Sequence, residues 1–138
     1  MLLAGSHAVF ATADVGRMMR FVETVFGLAP KFENAEFGEF VLPSGFRLAF
    51  FRPTGKAALY FAAVEPAGRG GAALGVTVAD VDALHRRAAE RAAALVLTLS
   101  GPPKEHPWGE KSFLLVDPDG NRWEITQSPT PTGQLLDR

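Results

Sequence analysis

The chain has 138 residues, 47% of them apolar and 21% charged, the balance of a globular domain long enough to bury a core without covalent staples. It contains no cysteine, which excludes disulfide scaffolds, thiolate metal sites and cysteine nucleophiles. Fourteen basic against fifteen acidic residues leave a net charge of −1 with no basic block, which argues against a nucleic-acid partner. No uninterrupted apolar run approaches the length of a membrane span, and residues 1–7 lack the basic and apolar regions of a cleaved signal, so the expected compartment is the cytoplasm.

Residues 7–12 are β-prone and end at Asp14, a side chain suited to accept the free N–H groups of a first helical turn. Val15, Met18, Met19, Val22 and Phe26 then recur at helical spacing, and Gly27 supplies a left-handed stop. Segments 37–42 and 46–51 read as strands joined by the turn Pro43-Ser44-Gly45. Residues 57–64 fit either a strand or a short helix, and Gly68-Arg69-Gly70-Gly71 reads as a flexible link. A strand over 73–78 leads to Asp80, a second N-cap, and Val81, Leu84, Ala88 and Ala92 form the stripe of a second helix. The spacing predicts a strand over 95–99, a proline-rich loop over 101–109 and a strand over 113–116. Asp117-Pro118-Asp119-Gly120 is then a hairpin turn into a last strand over 121–127. The tail, 129–138, is expected to be loose.

The pattern repeats. A shift of 66 residues lays Ala13-Asp14-Val15 on Ala79-Asp80-Val81, and a shift of 75 lays Pro43-Ser44-Gly45-Phe46-Arg47-Leu48 on Pro118-Asp119-Gly120-Asn121-Arg122-Trp123. The expected fold is therefore α+β: two tandem β-α-β-β-β modules forming an open, cupped mixed sheet with helices outside, within a single domain 1–138. The first module covers about 5–53, the linker 54–71 and the second module about 72–128. Strand alternation groups Phe10, Trp123 and Ile125 toward the helices and His7, Arg47, Ala49, Phe51, Arg122 and Glu124 on the opposite faces. Eleven of the fourteen aromatic residues lie between Phe10 and Phe61, as core or as the lining of a pocket.

Over residues 5–128 the chain resembles the vicinal oxygen chelate superfamily, which includes glyoxalase I, extradiol dioxygenases, fosfomycin-resistance thiol transferases and bleomycin-resistance proteins. The resemblance rests on the stretch His7 through Asp14, on Phe26-Gly27-Leu28, and on Trp108-Gly109 followed by Asp117-Pro118-Asp119-Gly120-Asn121-Arg122-Trp123-Glu124. It implies that metal-dependent members place ligands on the first and last strand of each module. His7 and Glu124 fall at two of these positions; the repeat puts Ala73 and Ala49 at the other two.

Half of that ligand set is missing, so no cofactor is expected, with a divalent metal held by His7 and Glu124 as the alternative. His7 and Glu124 can equally be a hydrogen-bonded pair, or a general base with its positioning partner. His106 could add a third ligand, although a solvated loop histidine explains it, and a solvated helix face explains His85. Trp108 either closes a pocket mouth or caps one end of the core. Arg47 and Arg122 either meet an anionic ligand group or pair with acidic neighbours.

The expected function is metal-independent binding of a small apolar or aromatic molecule, with Arg47, Phe51, Trp108 and Arg122 at the ligand. The alternatives are a glyoxalase-like lyase, isomerase or thiol transferase, and a regulatory subunit without a small ligand. Bleomycin itself, a cation, gains little attraction from a net charge of −1. The expected partner is a second copy of the chain, with Leu59-Tyr60-Phe61 as an apolar contact strip.

Two of four positions without donors predict that the purified protein carries no stoichiometric zinc, nickel, manganese or iron. The double substitution Ala73→His with Ala49→Glu should create metal binding. Elemental analysis of both proteins checks this: about one ion per unmodified chain would overturn the first expectation, and no ion in the double variant would overturn the placement of the four positions.

Overall fold

The computed structural model describes residues 3–56, 58 and 72–128. The fold is α+β, and the chain divides into two compact units, Met1–Gly70 and Gly71–Arg138. The first runs β1 (His7–Ala11), α1 (Val15–Phe26), β2 (Phe32–Glu33), β3 (Phe37–Val41) and β4 (Arg47–Phe51). The second runs β5 (Ala73–Thr77), α2 (Val81–Leu95), β6 (Thr98–Leu99), β7 (Lys104–Glu105), β8 (Lys111–Val116) and β9 (Arg122–Gln127). The segment 57–64 apart from Ala58, the link Gly68 to Gly71 and the tail 129–138 lie outside the described residues. No helix among the described residues is long and apolar enough to cross a membrane.

Each unit is a mixed sheet in which the first strand pairs in parallel with the last. The first has the order β1-β4-β3-β2, and the second β5-β9-β8-β6, with β7 also pairing β8. His7 pairs with Arg47 and Ala73 with Arg122, so the offsets of 66 and 75 residues hold in the hydrogen-bonded register. The offset of 75 extends to the next strand, since Phe37, Glu39 and Val41 of β3 correspond to Ser112, Leu114 and Val116 of β8.

The helices form where the caps direct them. Asp14 accepts from Arg17 N at 3.0 Å, and Gly27, at φ 70°, donates to the Glu23 carbonyl. Val15, Met18, Met19, Phe21, Val22 and Val25 of α1 are buried against the face bearing Gly38, Phe40, Leu48 and Phe50. A methyl group at the Gly38 Cα would overlap the Met19 side chain, so the buried thioether would have to move for any larger residue there. Arg20 pairs with Glu23 within α1 at 2.6 Å and ties the helix to β2 through Glu33. Burial disfavours the Arg20 charge, but the hydrogen bond to Glu33 and the nearby carboxylates outweigh it and raise the guanidinium above its ordinary pKa.

In the second unit Asp80 accepts from Ala83 N at 3.0 Å, and the Gln127 side chain, arriving from β9, accepts from Val81 N at 2.8 Å. Residues 95–99 do not form one strand as the spacing predicts. Helix α2 continues to Leu95, Val96 takes a left-handed conformation at φ 58°, and only Thr98–Leu99 joins the sheet. The alanine-rich approach sustains the helix until the chain closes it by donating from Val96 N and Leu97 N to the Ala92 carbonyl. The predicted loop 101–109 likewise contains β7, paired with Lys111 and Ser112.

Asp117 organises the last hairpin. Its buried carboxylate accepts from Asp119 N, Asn121 N and Asn121 Nδ2, and from Trp123 Nε1 at 3.0 Å, while Gly120 turns the chain at φ 88°. Two stability changes of opposite sign follow. Asp117→Ala should lower stability by about 2–4 kcal/mol, since it strands the buried indole N–H and removes the turn's acceptor. Val96→Gly should raise it by about 0.5–1 kcal/mol, since a β-branched residue loses its left-handed strain at an exposed site. Urea unfolding midpoints check both.

Candidate functional site

With each helix covering one face of its sheet, strand alternation decides what the other face carries. In the first unit the face away from α1 is built in three rows. His7, Arg47 and Val41 form one row, Val9, Ala49 and Glu39 the next, and Ala11, Phe51 and Phe37 the third. Phe32 of β2 extends the middle row beyond Glu39. His7 is exposed beside Arg47, while Ala49 is buried. Arg47 lies 3.9 Å from Glu39 Oε2, and Lys31 Nζ lies 3.9 Å from Glu39 Oε1. Of the two roles expected for Arg47, the acidic neighbour is thus present.

In the second unit the face away from α2 carries Ala73, Arg122 and Val116 in one row, Gly75, Glu124 and Leu114 in the next, and Thr77, Thr126 and Ser112 in the third. Arg122 and Glu124 are exposed, and Thr126 Oγ1 donates to Glu124 Oε1 at 3.5 Å. Ser112 Oγ is 2.7 Å from His106 Nε2. The His106 ring is stacked on Trp108, with centroids 4.6 Å apart and planes inclined by 3°. The backbone explains the stack. Gly109 N donates to the His106 carbonyl, Gly109 adopts φ 97° and His106 N donates to the Glu110 carbonyl, so the four-residue turn folds the two rings together. Glu110 Oε1 accepts from Trp108 Nε1 at 2.7 Å and fixes the indole.

These placements revise several expectations. His106 is no free loop histidine; it is half-buried between Ser112 and Trp108. His85 does not stand on a solvated face, because its ring meets the buried Phe113 edge-on with centroids 4.9 Å apart. Trp108 is 65% exposed, so it does not cap the core. His7 belongs to the first unit and Glu124 to the second, and Ala49 and Ala73 occupy the strand positions that the repeat assigned. Among the described residues no three His, Cys, Asp or Glu side chains form a group that could hold a metal ion.

Glu39, Lys31 and Ser112 are absent from the sequence reading. Extending the offset of 75 from β4 to β3 finds Glu39 as the counterpart of Leu114. In the same middle row, then, the first unit carries an acid on β3 beside Ala49, and the second carries it one strand over, on β9 beside Leu114.

The comparisons agree with this architecture. A family model described as Glyoxalase/Bleomycin resistance protein/Dioxygenase superfamily matches residues 6–125. No curated protein matches the sequence. The structure is similar to a glyoxalase-related enzyme from Fulvimarina pelagi, at 29% identity and a TM-score of 0.72, covering 93% of this chain and 90% of that one. It is also similar to a lactoylglutathione lyase from Agrobacterium tumefaciens, at 20% identity and a TM-score of 0.64, covering 94% and 97%. A third likeness is TioX from Micromonospora sp. ML1, at 20% identity and a TM-score of 0.63, covering 91% and 98%. The family match spans both modules, from the first strand through Ile125, and the chain belongs to the glyoxalase/bleomycin resistance protein/dioxygenase superfamily.

Proposed function

We propose that this chain is a small-molecule binding protein of the glyoxalase/bleomycin-resistance type, acting without a metal and as a homodimer, with an apolar or aromatic ligand. The observation that carries this reading is Trp108. A 65% exposed indole, backed by a parallel imidazole and fixed through its N–H to Glu110, is a rigid surface on which a planar molecule can stack. Because the ring is already ordered, stacking on it costs little conformational entropy. Phe51 and Arg47 in the first unit, and Arg122 in the second, each lie on the sheet face away from the helix of their own unit, where apolar and cationic side chains are accessible to a ligand.

The donor set supports metal independence. In each unit the two ligand positions, one on each of two paired strands, provide at most one ligand: His7 on β1 without a donor at Ala49 on β4, and Glu124 on β9 without a donor at Ala73 on β5. A Lewis-acid centre needs about three protein ligands, and these residues do not fit one. The likeness to a lactoylglutathione lyase, at 20% identity, extends to the fold and leaves its reaction with that protein.

Intrinsic fluorescence tests the reading, since one tryptophan is exposed and Trp123 is buried. Titration with 2-naphthol should quench Trp108. Trp108→Ala should weaken binding about threefold to tenfold, the equivalent of roughly 0.5–1.5 kcal/mol of stacking, while Trp108→Phe retains most of it. EDTA should leave the affinity unchanged. Equal affinity in Trp108→Ala, or loss of binding with EDTA, would overturn the proposal.

A further inference from the structure

The far face of the first sheet carries a charge arrangement that the stacking surface does not use. Glu39 sits at its centre, with only 15% of its side chain exposed. Lys31 and Arg47 flank it, one facing each carboxylate oxygen, with 60% and 49% of their side chains exposed. The acid is therefore largely covered while the two cations reach into solvent, so the face presents positive charge although the three residues together carry only one net charge. Both separations are 3.9 Å, beyond a direct hydrogen bond, and among the described residues neither Lys31 Nζ nor the Arg47 guanidinium has a hydrogen-bonded partner. Their N–H donors remain available, and a guanidinium offers them in a fork that matches a carboxylate or phosphonate.

The surroundings are apolar. Val9 lies one strand from Ala49, Val41 pairs with Arg47 and Phe32 pairs with Glu39; all three are exposed hydrophobic side chains. A wholly hydrated ion such as free phosphate gains nothing from these neighbours, whereas a molecule with an apolar body and one anionic group can use both sets of contacts. An external cation is disfavoured, because each oxygen of Glu39 already faces a cation and the acid is the least exposed member of the trio.

We propose that Lys31 and Arg47 form an anion-recognition site for small amphipathic organic anions, with the largely covered Glu39 between them as a local negative charge that limits the affinity. This rests on the small-molecule reading above and names the ligand class. The counterpart of Glu39 in the second unit is Leu114, and the acid of that row, Glu124, is exposed and, among the described residues, forms no ion pair with Arg122, so a covered acid between two cations is particular to the first unit.

Calorimetric titration of the full chain with phenylphosphonate tests the proposal, with inorganic phosphate, benzyl alcohol and benzylammonium as comparison probes. Phenylphosphonate should bind at least tenfold more tightly than any of the three. Arg47→Gln and Lys31→Gln should each weaken it about tenfold, and Arg47→Lys should recover part of the loss. Glu39→Gln should strengthen it severalfold by removing the negative charge between the two cations. Circular dichroism confirms that each exposed-site variant is folded. Phenylphosphonate binding no tighter than benzyl alcohol, or unchanged in both cation variants, overturns the site. Benzylammonium binding that disappears in Glu39→Gln also overturns it, in favour of a cation site. Quenching of Trp108 by 2-naphthol in the same preparations separates the two readings: retained quenching with no phenylphosphonate binding removes this site alone, and loss of both removes the small-molecule reading as well.

Discussion

The parallel pairing of the first strand of each module with its last is the constraint from which the other features follow. Once His7 is opposite Arg47 and Ala73 opposite Arg122, alternation assigns every side chain on four strands to the helix side or the far side. A slip of one residue in β9 would expose Trp123 and Ile125 and bury Glu124 in their place. Fully burying a large apolar side chain is worth about 1.5–3 kcal/mol, and an unpaired buried carboxylate costs several more, so the alternative registers lie well above the native one. Asp117 reinforces the choice from the turn, since its carboxylate reaches Trp123 only when the hairpin closes at Gly120.

The two modules share a backbone plan but have diverged on the faces that the helices leave free. One keeps a histidine and a covered acid between two cations, on a sheet face whose other members are apolar. The other keeps an exposed acid, hydroxyl side chains and a loop that stacks imidazole on indole. Core positions cannot vary in this way. Gly38 is held by Met19, and Phe113 by Ile125 and by the His85 ring, so change concentrates where packing does not forbid it.

The 106–110 turn shows how little backbone is needed to build a binding surface. One glycine with positive φ and two backbone hydrogen bonds bring His106 and Trp108 into parallel contact, and Glu110 and Ser112 then fix each ring by its nitrogen. The surface stands on β7 and β8, so its position is set by strand pairing rather than by the loop itself.

Features governed by neighbours along the chain were legible in the sequence. Asp14 and Asp80 announce helix starts, Gly27 a helix stop and Asp117-Pro118-Asp119-Gly120 a hairpin. Because caps and turns act over three or four residues, the structure matches them. The repeat was also legible, since two copies of one plan leave matching offsets whatever their side chains do. Tertiary structure alone decided what depends on partners distant in sequence. Two-residue strands such as β2 and β7 are too short to have a period and exist because β3 and β8 pair with them. The extension of α2 to Leu95 turned on how the chain closes the helix rather than on apolar spacing. The surroundings of His85, His106 and Glu39 belong to this second kind, because an isolated polar residue has no periodic neighbour to reveal which side chain meets it across a sheet or beneath a helix.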